Sequence, residues 1–165
     1  MPNIMRSMKI SFDPGITATG WCIWHNGKVL DMGTIRPRGD NHVSKINDLC
    51  LKVNKLIRDE TMCFDTAAIE RFQGFYGDQA KSTMKSMMLC SCVQGVLIGI
   101  CMSSGLTTIT VSKGKTSKKN TMVRAKAVGL FDKFKRISKD ALDAYEIGIA
   151  AGFDSNWAVV HRMKL

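Results

Sequence analysis

Apolar positions follow two rhythms along the chain, and the rhythm changes several times. Over the first third it is short and strand-like. Lys9–Asp13, Gly20–Trp24 and Val29–Ile35 are predicted strands, and Asn26-Gly27, between the second and third, is a dipeptide favoured in two-residue hairpin turns. Pro37, Gly39 and Asp40 then make a loop. From Val43 to Glu60 the period lengthens. Ile46, Leu49, Val53, Leu56 and Ile57 form one apolar stripe with polar residues opposite, which predicts an amphipathic helix. Thr66–Glu70 is a short buried strand, and Gly74–Gly77 (Gly-Phe-Tyr-Gly) is a loop tipped with aromatics. A long helix is predicted over Asp78–Ser103. Its Met84, Met87, Met88, Leu89 and Val96 are apolar on more than one face, so it is either central in the core or shared with a second subunit. Thr107–Val111 is a strand rich in β-branched residues. Ser112–Asn120 is a basic loop without an apolar pattern. Helices follow over Thr121–Phe131 and Ser138–Gly152, the last capped by Ser138 and ended by Gly152. The order β-β-β-α-β-α-β-α-α predicts an α/β fold, a mixed five-stranded sheet flanked by helices.

The 165 residues are expected to form a single domain (1–165), with 1–7 as a disordered extension and Met8 as an alternative start. A hydrophobic content of 45% argues against a disordered chain. Met1–Ser7 lacks the apolar core of a signal peptide, and the longest apolar stretch, Val93–Met102, is too short to span a bilayer. Cys22, Cys50, Cys63, Cys90, Cys92 and Cys101 form no CxxC pair and fall mostly within apolar patterns. Buried free thiols in a reducing cytoplasm are the expectation. His25, His42 and His161 are scattered, which argues against zinc.

Charge changes the picture. The formal net charge is +10, and between Lys113 and Lys139 there are ten Lys/Arg against one acid, Asp132. Such a run is often only a solvated face. No Trp/Phe-rich amphipathic anchor accompanies it, so nucleic-acid phosphate is a better partner than membrane lipid. Four acids stand out against this background. Asp13 and Glu70 each end an apolar strand, and Asp140 and Asp143 lie three apart on one helix face, about 5–6 Å between Cβ atoms. Each has an ordinary alternative: an Asp-Pro-Gly turn for Asp13, an exposed strand-end acid for Glu70, a helix-start acid for Asp140. Together they are an oxygen-donor set suited to Mg²⁺ or Mn²⁺. Acids that hold such a cation inside a basic protein point to a nuclease.

Asp13-Pro14-Gly15-Ile16-Thr17-Ala18-Thr19-Gly20-Trp21 resembles the DPGxxxTG opening of RuvC-type Holliday junction resolvases. Ile69-Glu70 resembles their second acidic motif, and Lys139-Asp140-Ala141-Leu142-Asp143-Ala144 their closing D-x-x-D-A helix. The element order agrees, so the resemblance covers Met8 to Gly152. It implies an RNase H-like fold, a homodimer, no small-molecule cofactor, and incision of four-way and other branched DNA with two Mg²⁺ ions per site, for which Mn²⁺ can substitute. Small size and a divergent middle point to a phage or viral member. Asp13 would be the central ligand, Glu70 and Asp143 would hold one metal each, and Asp140 would be a ligand or a supporting base. The family places a lysine in the basic loop. Lys119 fits its register best, with Lys118 the neighbour that could take its place near the scissile phosphate. Lys113, Lys115, Arg124 and Lys126 would track DNA backbone. The family's aromatic three residues after the second-motif Glu is Gln73 here, with Phe72, Phe75 and Tyr76 close by; Phe75 and Tyr76 are candidates to stack on unpaired bases. Arg71 would pair with a phosphate or a neighbouring acid. Two other functions compete: an RNase H-like nuclease of RNA–DNA hybrids or flaps, and a branched-DNA-binding protein that has lost catalysis.

Overall fold

The period-two segments of the first third fold back on one another as β1 (Met8–Asp13), β2 (Thr19–His25) and β3 (Lys28–Ile35). The turn between β2 and β3 works because Asn26 and Gly27 both take positive φ, 51° and 72°, matching the right-handed twist of the strands they join. The computed structural model describes residues 7–72, 84–112 and 118–154. Beyond the hairpins, α1 (His42–Ile57) leads into β4 (Phe64–Glu70), α2 (Met84–Ser103) into β5 (Thr107–Val111), and α3 (Lys118–Ala127), α4 (Leu130–Lys133) and α5 (Lys139–Ala150) follow. The five strands form the expected mixed sheet in the order β3-β2-β1-β4-β5, with β1 antiparallel to β2 and parallel to β4.

Strand alternation sorts the core into two layers. On one face Ile10, Phe12, Ile23 and Ile69 pack with Leu49 and Val53 of α1 and Val93 and Leu97 of α2. On the other, Cys22, Trp24 and Ala68 pack with Ala144, Tyr145 and Ile147 of α5. A buried hydroxyl fixes α5 against the second face: Ser11 Oγ donates to the Ala144 carbonyl (2.7 Å) and accepts from Trp24 Nε1 (2.9 Å). The Trp24 indole stacks on Tyr145, centroids 5.4 Å apart. It lies so close to Gly148 that a Cβ there would stand 2.4 Å from the ring.

Several boundaries differ from expectation. Helix α1 starts at a capping box, Asn41 with Ser44, and ends three residues short of Glu60. The expected Thr121–Phe131 helix is two helices, because Gly129 adopts φ 70° between α3 and α4 and breaks the ladder. Lys118–Asn120, expected as loop, is already the first turn of α3. The expected start of α2 at Asp78 and the Gly74–Gly77 loop lie outside the described residues. Helix α5 behaves as expected: Ser138 caps it through a bond from the Ala141 N–H, and Gly152, φ 74°, ends it.

The expectation of buried thiols holds only in part. All six cysteines are free, but Cys22 and Cys101 alone are buried, while Cys63 and Cys92 are exposed. Burial raises the Cys101 thiol from its ordinary 9.0 to about 12 and raises Cys22 well above the ordinary value. The unfolded chain therefore releases these protons first. Their contribution to stability is fully present below about pH 9 and is lost as pH climbs toward 12. Thermal melts from pH 8 to 11 should show a falling midpoint above pH 9, with a smaller fall in Cys101→Ala; identical slopes for the two proteins would remove Cys101 from that account. No helix among the described residues is long and apolar enough to cross a membrane.

Candidate active site

Parallel pairing of two strands 56 residues apart brings the first two acids together. Phe12 is paired with Ile69, so the next residues along, Asp13 and Glu70, end neighbouring strands at the same edge of the sheet. They alternate with Phe12 and Ile69, which face α1 and α2, and so turn toward the side that α5 covers. A tight turn holds the end of β1. Thr19, fully buried, donates its hydroxyl to the Gly15 carbonyl (2.8 Å), and a Cβ on Gly15 would stand 2.3 Å from the Ala18 carbonyl oxygen. The end of β4 is tied down by Arg71 N–H to the Val111 carbonyl (2.7 Å).

The third and fourth acids come from α5. Gly20 is the cross-strand partner of Asp13. A Cβ on Gly20 would lie 1.8 Å from the Asp140 carbonyl oxygen, so the first turn of α5 rests directly on β2 there. Asp140 therefore sits within the reach of one strand from Asp13, at the end of α5 whose exposed N–H groups favour negative charge. Asp143, one turn further, lines a cleft of about 250 Å³ with Thr121 and Met122 of α3 and with Lys139 and Leu142.

Four carboxylates are oxygen donors, a set that suits a hard cation. The tips of those side chains do not close on one point: among the described residues no three Asp, Glu, His or Cys side chains are grouped tightly enough to hold a metal ion.

Other expected residues are distributed as follows. Arg71 is exposed and its guanidinium donates to Thr110 Oγ1 (3.3 Å). Arg124 and Lys126 lie on α3, Lys126 exposed. Lys118 and Lys119 belong to the first turn of α3, and their side chains lie outside the described residues, as do Gln73, Phe75, Tyr76, Lys113 and Lys115. Phe72 is half-buried, and its N–H donates to Gln94 Oε1 of α2 (3.2 Å). Two residues of the site were missed from sequence. Gly20 is one; its place in the TG of the first motif hinted that a side chain is excluded. Cys90 is the other. It lies one turn before Gln94 on α2, and burial, with the negative charges of Asp13 and Glu70 behind it, raises its thiol above the ordinary value. The acid pair is thus within electrostatic reach of α2 as well as α5.

No family model matches the chain. The crossover junction endodeoxyribonuclease RuvC of Nitratidesulfovibrio vulgaris is 27% identical over 104 residues, a match covering 61% of this chain and 58% of that protein. In fold, the chain resembles RuvC of Thermus thermophilus in complex with a Holliday junction substrate, with a TM-score of 0.70 at 15% identity over 89% of this chain and 93% of the other. A second Thermus thermophilus RuvC structure gives 0.67 at 14% identity, over 92% and 96%.

Proposed function

We propose that this chain is a metal-dependent, structure-specific DNA endonuclease that resolves four-way junctions, and cuts other branches, by paired phosphodiester hydrolysis. The observation that carries this is the meeting at one sheet edge of Asp13, Glu70 and the first turn of α5, in a protein of net charge +10. The matches to RuvC proteins in sequence and fold support it. Asp13, Glu70, Asp140 and Asp143 would hold Mg²⁺ or Mn²⁺ once their side chains rotate inward, on strands and a helix that need not move. Bound there, the ions would supply an activated water and stabilise the leaving oxygen. The chain's own groups do the rest. Asp13 and Glu70 anchor the site on rigid strands, and Asp143 faces a cleft open to a ligand. Lys119 or Lys118 neutralises phosphate near the scissile bond, and Lys113, Lys115, Arg124 and Lys126 hold the DNA backbone. Phe75 and Tyr76 stack on bases unpaired at the branch. The whole chain works as one nuclease domain in the cytoplasm.

The test is a labelled four-way junction beside a linear duplex of matched sequence, with Mg²⁺, then with EDTA, for the wild type and Asp143→Asn. Symmetric nicks in the junction alone, absent with EDTA and in the variant, are the expected result. Equal cutting of both substrates would reduce the protein to a general nuclease, preferred cutting of an RNA–DNA hybrid would move it to another substrate, and tight junction binding without cutting would make it a binding protein. Metal binding has its own readout: Mg²⁺ or Mn²⁺ should raise the melting temperature of the wild type and not of Asp143→Asn.

Two opposed strands are cut most simply by a two-fold dimer. Helix α2 presents a face for it. Ser91, Gly95 and Gly99, four residues apart, are exposed, flanked by Met88 (63% exposed), Cys92 and Met102 (64%). Among the described residues of the single subunit, a Cβ on Gly95 or Gly99 would meet nothing within 4 Å. Gly95→Leu/Gly99→Leu should therefore leave the subunit folded while blocking close helix approach, shifting the protein from dimer to monomer in sedimentation. An unchanged sedimentation coefficient would place the dimer elsewhere.

A further inference from the structure

The edge strand β3 is bordered by cations with no part in the acid site. The chain after α4 climbs alongside it. Lys133 Nζ donates to the Val29 carbonyl near the hairpin (2.8 Å), and at the other end Ser138 Oγ meets Thr34 Oγ1. Lys135 and Arg136, on that climb, are exposed, and so are Arg36 and Arg38, just beyond Thr34. Lys133 has an ordinary structural duty, since it covers a carbonyl of an edge strand that would otherwise invite pairing. The other four do not. Among the described residues Lys52 forms an ion pair with Asp48 (2.6 Å), and none of Arg36, Arg38, Lys135 and Arg136 shares in one.

The backbone beneath the two arginines is nevertheless held firmly. Lys52 Nζ donates to the Arg36 carbonyl (3.0 Å), Asp48 accepts from the Arg38 N–H (2.7 Å), and Pro37 between them is buried. An ordered loop thus carries two exposed guanidinium groups that share in no ion pair among the described residues, although the Arg38 charge is felt by Asp48, which is itself paired with Lys52. The nearby acids, Asp31, Asp40, Asp48 and Asp132, are outnumbered by Lys28, Arg36, Arg38, Lys52, Lys133, Lys135, Arg136 and Lys139. The row ends where the acids are: Thr34 pairs with Gly20, which pairs in turn with Asp13. Anchored backbone and a local excess of exposed cations favour binding of a phosphate backbone, and arginine's fork suits phosphate oxygens.

From this we infer that Arg36, Arg38, Lys135 and Arg136 form a second phosphate-binding row, which holds a duplex arm on the β3 side of the acids. This rests on the branched-DNA nuclease assignment. In the sheet order, β2 alone stands between β3 and the strand that ends at Asp13. A row set one strand to the side of the acids suits an arm leaving a branch point held there, and a linear duplex laid across the acids need not engage it.

The experiment is a binding titration of the wild type and of R36Q/R38Q/K135Q/R136Q with a four-way junction and with a linear duplex, over a range of salt, without divalent metal. The slope of log affinity against log salt on the junction should fall by roughly 0.9 for each phosphate no longer neutralised, about 3.6 for four. Junction affinity should drop by a larger factor than linear affinity. R36Q/R38Q and K135Q/R136Q should each show about half the change, which guards against misfolding of the fourfold variant. An unchanged junction slope in variants that melt like the wild type would overturn the row, and so would equal losses on the two DNAs. A wild type with no preference for the junction defeats the nuclease assignment instead. In that case a smaller slope on linear duplex in the variant would retain the row as a phosphate surface, and no change there would remove it.

Discussion

Asp13→Asn is expected to bind a four-way junction within a few-fold of the wild type and to cut it at least about 10³-fold more slowly. Asparagine has nearly the size of aspartate and the strand end is held by other atoms, the Thr19 hydroxyl on Gly15 and the β1 ladder, so the fold survives. What disappears is one negative charge at the point nearest to Glu70 on one side and Gly20 on the other. If that charge holds the ions, its loss removes several kcal/mol of transition-state stabilisation, and about 1.4 kcal/mol corresponds to each tenfold in rate. Under the proposed function the basic surface carries binding, which should persist because phosphate contacts do not depend on the acids. Single-turnover cleavage and a gel-shift titration of the same preparation separate the two. A variant that cuts at the wild-type rate would show that Asp13 is only a turn former.

Gly20→Ala is the second large effect, and it acts through backbone. The added methyl would lie 1.8 Å from the Asp140 carbonyl oxygen and 2.4 Å from its carbon. Neither atom can rotate away as a side-chain tip would, so β2 and the first turn of α5 must separate. Overpacking of this kind costs about 3 kcal/mol at the upper end of its usual range, a drop of roughly 6–12 °C in melting temperature for a chain of this size. The same separation carries Asp140 and Asp143 away from Asp13, and a misplacement of about 1 Å can cost a further 10²-fold in rate. Gly99→Ala is the control, because its Cβ meets nothing within 4 Å among the described residues. Equal melting temperatures for the two variants would mean that α5 does not rest on Gly20.

Local chemistry was readable in advance and distant packing was not. Asn26-Gly27, Ser138 and Gly152 each act on residues a few positions away, so their turn and cap roles follow from residue type. Gly129 was overlooked because a single left-handed residue splits a helix without altering the surrounding helical composition. Placing Asp13 beside Glu70 required knowing that β1 and β4 run parallel in one register, which the element order implied and could not specify. Ser11 joining Trp24 to Ala144 across 133 residues had no local mark at all, nor had the proximity of Cys90 to the acids, which depends on how α2 crosses β4.

The way the acids are divided along the chain has a consequence for biosynthesis. The β1–β2–β3 meander is local and can pair as soon as it leaves the ribosome, whereas β4 must wait for a long crossover and α5 for most of the chain. A product terminated before Lys139 would retain the meander but leave Trp24 and the Ser11 hydroxyl without the helix that covers them. It would also lack Asp140 and Asp143. Premature stops should therefore yield fragments that proteases clear readily and, under the proposed function, that cannot cut DNA, so that activity would be withheld until α5 has been made.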